Sequence, residues 1–209
     1  ATLSTLPAGT PSAVLQGSTN EMDGGTVLRG FQVNRILHAD RALGLALHDL
    51  TIRQINAGSG DGVEWAQSHY ASGVRVSALS CARGFFVNAS DQVTLTHCVS
   101  VGNTSAGLAT SGSSGTRWQS GVAWSNICGF YQGDSGSKTL SVENSILGVF
   151  GSGSYGYYKL GGVLASDYNL YYLVDGGFPA QVAQASTVGA GTGRYETVSH
   201  WFRASGLDA

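Results

Sequence analysis

Apolar and polar residues alternate in short bursts that recur along the chain. Val93-Thr94-Leu95-Thr96-His97-Cys98-Val99 has the pattern of Leu140-Ser141-Val142-Glu143-Asn144-Ser145-Ile146. Val74-Arg75-Val76-Ser77-Ala78-Leu79, Leu45-Ala46-Leu47-His48-Asp49-Leu50 and Thr26-Val27-Leu28-Arg29-Gly30-Phe31 follow it, and weaker copies begin at Thr116 and Leu164. With Thr26, Leu45, Val74, Val93, Thr116, Leu140 and Leu164 as register points, the steps are 19, 29, 19, 23, 24 and 24 residues. Each copy reads as a short strand, a bend and a second short strand, and helical periodicity is absent. A further signal follows downstream: Gly62-Val63-Glu64-Trp65, Gly84-Phe85-Phe86-Val87, Gly107-Leu108-Ala109-Thr110 and Gly129-Phe130-Tyr131-Gln132. Glycine there is expected to supply a positive φ or a tight corner. A unit this short cannot bury its own inner face, so successive units must stack.

Side chains alternate across a strand, so the pattern assigns faces. Leu28, Leu47, Val76, Leu95, Trp118 and Val142 are expected inside, joined after the bend by Phe31, Leu50, Leu79 and Cys98. One outward column reads Val27, Ala46, Arg75, Thr94, Arg117, Ser141, Ala165, and the next reads Arg29, His48, Ser77, Thr96, Gln119, Glu143, Asp167. The bend column reads Gly30, Asp49, Ala78, His97, Ser120, Asn144, Tyr168. After the glycines, Glu64, Phe86, Ala109, Tyr131 and Tyr158 face outward, although a shift of one residue would expose Phe85 and Phe130 instead. Loops are expected at 55–61, 110–115, 133–137 and 151–154. In the tail, Ser199-His200-Trp201-Phe202-Arg203-Ala204 predicts a short helix with Thr197 or Ser199 as N-cap. Val198, Trp201 and Phe202 would share the face that covers the end of the stack. The organisation is therefore a lead-in over 1–23, a stacked body over 24–173 and a tail over 174–209.

Composition agrees with a single folded body. Charged residues make up 11% of the chain, against roughly 25% in ordinary domains, yet 42% apolar residues and a net charge of −2 exclude a disordered chain. That charge gives no general attraction to nucleic acid or anionic membranes. No apolar stretch approaches the roughly 20 residues of a membrane span. The chain begins at Ala1 rather than Met, as expected of a processed or trimmed polypeptide. Cys81, Cys98 and Cys128 have no metal spacing and read as small buried hydrophobes. Sequons begin at Asn88 and Asn103.

The repeat length, the Gly-aromatic second strand and the polar bend together resemble the right-handed parallel β-helix of the pectate-lyase-like superfamily, over roughly residues 24–173. Ser166-Asp167-Tyr168-Asn169-Leu170-Tyr171-Tyr172, followed by Trp201-Phe202-Arg203-Ala204-Ser205-Gly206-Leu207-Asp208-Ala209, is similar to a pair of segments in secreted bacterial β-helix repeat proteins. Those proteins continue with further coils, so the chain reads as a fragment of a longer one. The fold expectation is an all-β, single-domain solenoid of six or seven coils with a short C-terminal capping helix. Right-handedness follows the crossover preference of parallel strands. The resemblance implies a secreted, extracellular or cell-surface protein acting on polysaccharide, as an acidic-polysaccharide lyase, a glycosidase or the non-catalytic part of one. The alternative is a non-catalytic glycan-binding, adhesion or structural module, either monomeric or a tailspike-like homotrimer with Phe86 and Tyr131 at its interface.

Elimination at a uronate needs a base for the α proton and a cation for the carboxylate. Arg75 and Arg117 are expected two coils apart in one column, about 10 Å at the stack spacing. With Arg29 they would bind successive carboxylates, and His97 or His48 would be the base. Glu143 and Asp167 are equivalent positions of adjacent coils. They could act as the paired carboxylates of a retaining glycosidase, roughly 5 Å apart, or share a Ca²⁺ ion. Phe86 and Tyr131 could stack on sugar rings. No nucleotide cofactor is implied, because no glycine-rich run opens a helix.

Overall fold

The computed structural model describes residues 2–3, 14–16, 27–29, 32–33, 37–53, 58, 60–134, 138–182 and 193–207, with side chains from residue 37 onward. Three sheets run along one stack. Sheet A has eight strands, sheet B nine and sheet C seven, and every strand pairs in parallel with its equivalent one coil on, except a last antiparallel strand, Gly193–Tyr195, on sheet B. Successive strands visit sheets A, B and C in turn. The fold is the expected parallel β-helix, with the seven strands of sheet C six coil steps apart. Strands at Thr2–Leu3 and Val14–Gln16 already belong to sheets A and B, and Phe178–Val182 continues sheet B beyond residue 173. Gly30, Phe31 and most of the loops expected at 55–61 and 133–137 lie outside the described residues.

Corners are turned by single residues in the left-handed region. Asp49, Arg75, His97, Ser120, Asn144 and Tyr168 all sit at φ between 51° and 55°. This conformation costs an L-residue roughly 1–2 kcal/mol, and the next coil holds it in place: Arg75 N–H donates to Thr96 O, and His97 N–H to Gln119 O. The bend column therefore contains Arg75 where Ala78 was expected. The register point in this coil is Ala71, whose carbonyl accepts from Thr94 N–H, and not Val74. Gly73 fills the inner position between Leu47 and Leu95, with Val76 beyond the corner. The sequence misleads here because the inward residue is the smallest one: a Cβ on Gly73 would lie 2.8 Å from Leu95 Cδ2. Leu79 is correspondingly half-buried on sheet A, outside the core.

The recurrent glycines have a different cause from the one expected. Gly62, Gly84, Gly107, Gly129 and Gly156 do not adopt positive φ. A Cβ on each would lie 2.5–2.7 Å from a carbonyl oxygen of the next coil, as from Gly107 to Gly129 O at 2.6 Å. They form a column of close backbone approach along one edge of sheet B.

Inside, aromatic rings follow one another up the stack. Trp118 meets Phe85 and Phe130 edge-on at 5.4 and 5.5 Å, Phe130 stacks on Tyr157, and Tyr157 stacks on Trp201 of the terminal helix. That helix, α1 (Val198–Ser205), starts at Thr197, whose hydroxyl accepts from His200 N–H. Trp201 is buried over the end of the core, whereas Phe202 is 39% exposed, so only part of the expected apolar face covers the stack. Polar ladders fix the corners. Ser68, Ser90 and Ser113 each accept from the preceding coil's backbone, and the run ends on Asp134. Asn103 accepts from Cys81 N–H and donates to Asn126, so this sequon asparagine is buried and structural. All three cysteines are buried and form no disulfide, and burial pushes the Cys98 and Cys128 thiols up to about 12.

Lys159 is the inner residue above Gln132 and is 1% exposed, with no partner for its ammonium among the described residues. Burial pushes its pKa below the ordinary 10.5. Removing an unpaired buried polar group is worth about 1–3 kcal/mol, so Lys159→Met is expected to raise the urea midpoint. The folded chain also binds fewer protons than the unfolded one between the lowered value and 10.5, so native stability rises with pH across that window. Urea melts at neutral and alkaline pH should show this rise in the parent and its loss in the variant. Equal midpoints at both pH values would contradict the assignment.

Candidate functional site

The stack presents three faces of different character. Sheet C is polar: its outward columns are Ala46, Ser72, Thr94, Arg117, Ser141, Ala165 and His48, Val74, Thr96, Gln119, Glu143, Asp167. Sheet A is apolar from Leu79 onward, with Ile146, Leu170 and Tyr172 exposed. Sheet B carries aromatic and charged groups together and forms the candidate site.

One outward column of sheet B runs His38, Glu64, Phe86, Ala109, Tyr131, Tyr158, Gln181. The order expected from Glu64 to Tyr158 holds, and Phe85 and Phe130 are buried. A second column runs Arg83, Ala106, Cys128, Tyr155, Phe178. Tyr131 and Tyr158 stack at 5.7 Å with 11° between their planes, and Tyr155 and Phe178 stack at 5.8 Å. Ala106, Ala109 and Cys128 are buried beneath Phe86, Tyr131 and Tyr158. These small residues form a saddle between two raised aromatic platforms. From the Phe86 coil to the Phe178 coil the track extends roughly 19 Å, at about 4.8 Å per coil.

Charges frame the track. The Arg83 guanidinium lies 3.5 Å from the Phe86 ring centroid and donates to both Asp61 oxygens at 2.7 Å. His38 Nδ1 lies 2.9 Å from Glu64 Oε2. At the other end, Arg194 lies 4.4 Å over Phe178 and donates to the Tyr155 hydroxyl at 3.3 Å. No acid pairs with Arg194 among the described residues. Burial, with Tyr158 and Cys128 beside it, pushes the Tyr131 phenol above its ordinary value and keeps it a hydrogen-bond donor.

The other sequence candidates lie elsewhere. Arg75 is not in the column of Arg117, because Ser72 pairs with Thr94 there and Thr94 with Arg117. Arg75 stands at the corner between sheets C and A, gripping Asp49 at 2.5 and 3.0 Å, and this contact raises its pKa. The expected arginine row is therefore not assembled. His97 is exposed at the same corner. Arg29 pairs with His48 in sheet C by backbone register, and its side chain is outside the described residues. Glu143 and Asp167 are vertical neighbours in sheet C, as expected. Glu143 accepts from Ser141 and Gln119, and Asp167 from Tyr168 N–H. No third acid, histidine or cysteine joins them in a metal-binding group among the described residues. A Ca²⁺ ion, which takes six to eight oxygens, would draw two carboxylates from this pair.

Arg83, Tyr155, Phe178 and Arg194 escaped the sequence reading. For the first two a signal exists: each immediately precedes a column glycine, Gly84 or Gly156, and that position faces outward. Strict alternation misses it, because the glycine and the aromatic after it both turn inward.

The fold and this face define a parallel β-helix with an aromatic track along one side. No protein-family model matches the chain, and no curated protein matches it. Among solved structures, the crystal structure of the periplasmic alginate epimerase AlgG is similar at 13% identity and a TM-score of 0.42. The match covers 75% of this chain and 42% of that one. No helix among the described residues is long and apolar enough to cross a membrane.

Proposed function

We propose that this protein is a secreted or cell-surface glycan-binding β-helix that holds an acidic polysaccharide along sheet B. The observation carrying this reading is the track from Phe86 to Phe178, where aromatic rings flank a patch of small residues and end at Arg194. Aromatic rings take the apolar faces of sugars, and polar groups at their rims fix orientation. Arg83 is committed to Asp61, so it stiffens the Phe86 platform. Arg194 is the group placed to meet a carboxylate.

A second reading is favoured by one observation, the adjacency of Glu143 and Asp167 beside Gln119 and diagonal to Arg117. Sheet C would then carry glycoside hydrolysis, or elimination with His48 or His97 as base, while sheet B binds the polymer.

The test is a panel of uronate and neutral polysaccharides assayed by affinity electrophoresis and calorimetry. Unsaturated products are followed in the near ultraviolet, and new reducing ends by a colorimetric assay. Tyr131→Ala and Arg194→Ala are each expected to weaken uronate binding about tenfold, the equivalent of ~1.4 kcal/mol, with unchanged circular dichroism. Binding that survives both substitutions refutes the sheet B site. Products that vanish in Glu143→Gln while binding persists establish the second reading.

A further inference from the structure

Sheet A has the opposite composition from the other two faces. Its outward positions from Leu79 to Val174 include Val122, Trp124, Ile146, Phe150, Leu170 and Tyr172 and contain no charged residue. Leu170 is 63% exposed and Tyr172 54%. Trp124 lies flat across Gly148, where a Cβ would be 2.3 Å from its ring, and stacks on Tyr172 at 5.4 Å. Phe150 closes the cluster at 5.1 Å from Trp124. Exposed Ile127 and Tyr168 continue the apolar surface onto the flanking corners. A sheet face normally alternates apolar-in with polar-out. Here the outward side is apolar as well, and on one strand the order is reversed: Val99 and Val101 point outward while Ser100 is buried and bonded to Gly107 O and Asn103 Nδ2.

We infer that sheet A is a self-association surface on which a second copy of this chain packs face to face about a two-fold axis. Three arguments select this occupant. Surfaces between unlike partners are about as polar as the rest of a protein, whereas those between identical copies are more apolar, and this strip carries no charge to select an unlike partner. A two-fold contact needs a self-complementary patch, which a flat, neutral, apolar sheet supplies; two such sheets pack about 10 Å apart. A bilayer surface would instead call for several Lys or Arg around the apolar strip, whereas the outward columns of sheet A hold one basic residue among the described side chains, Arg53, beyond Leu79 at the end of the strip. The strip covers about 300–400 Å², from five coils and strands of up to five residues. That is about half of the roughly 800 Å² per partner in a stable complex. The association is therefore weak and reversible, and Ile127 and Tyr168 enlarge it.

Sedimentation velocity over a micromolar-to-millimolar series tests the inference. The parent chain should move reversibly from monomer towards dimer. Leu170→Glu combined with Tyr172→Glu should remain monomeric at the highest concentration, as should the milder Ile146→Lys if the double variant fails to fold. Tyr70→Glu, equally exposed at the corner between sheets B and C, should dimerise like the parent. A parent that stays monomeric overturns the inference, as does one that forms trimers, one that floats with neutral phosphatidylcholine vesicles without self-associating, or one whose assembly is lost equally in Tyr70→Glu. Glycan binding should survive the sheet A substitutions, so failure here is distinguishable from failure of the sheet B site.

Discussion

Trp118→Ala should destabilise the fold by about 3–5 kcal/mol, the range for deleting a fully buried indole. Trp118 is 0% exposed and occupies the inner column of sheet C between Leu95 and Val142. It reaches across the core to Phe85 and Phe130, and its ring lies where a Cβ on Gly121 would be, 2.6 Å away. No neighbour is placed to fill the void, because Gly121 and the rigid strands around it cannot supply atoms. The indole N–H is buried without a partner among the described residues. Trp118→Phe should therefore cost much less, since it removes that orphan donor while keeping most of the ring contacts. Urea unfolding by tryptophan fluorescence and far-ultraviolet circular dichroism measures both. A loss below about 1 kcal/mol for the alanine variant, smaller than a single well-buried Ile→Val change can cost, would mean that the rings do not form a continuous core.

Adding one methyl group at Gly107 should be nearly as damaging. The new Cβ would sit 2.6 Å from Gly129 O, 2.9 Å from Asn126 Nδ2 and 3.2 Å from Ser100 Oγ. The first obstacle is backbone, so the coils must separate locally, straining the parallel ladder and the Asn103–Asn126 bonds together. Overpacking of this kind costs about 1–3 kcal/mol, and the upper end is expected because no flexible side chain can yield. Gly102→Ala is the informative comparison. Gly102 has φ +65° and open space where its Cβ would go, so the cost there is conformational, about 1–2 kcal/mol. Thermal melts should rank Gly107→Ala as the less stable. The reverse order would show that these glycines serve conformation and not coil approach.

Much of the architecture could be read from alternation alone. The registers at Thr116, Leu140 and Leu164 agree with the pairing, as do the sheet B column from Glu64 to Tyr158 and the terminal helix behind Thr197. Alternation gives spacing, however, and its phase rests on the assumption that the apolar residue points inward. At Val74-Arg75-Val76 that assumption chose the wrong triplet, because Gly73 holds the inner place beneath Leu95. The slip of three residues moved Arg75 from a corner to a sheet face and created an arginine row that the fold lacks. On sheet A the assumption fails outright at one strand: Val99-Ser100-Val101 reads as apolar-in and is apolar-out, while Ile52, Ala78, Ala123 and Leu147 hold the same inward column as core. Arg194 could not have been found from the repeat, because it arrives on the antiparallel strand at the end of sheet B.

Every coil contributes one rung to each of the three faces. Deleting a whole coil would shorten the aromatic track, the polar face and the neutral strip together, by about 4.8 Å each. An insertion at a corner would leave all three lengths unchanged. Ligand reach and subunit contact are thus geared to a single variable, the number of turns, while corner loops are free to change recognition without altering that gearing.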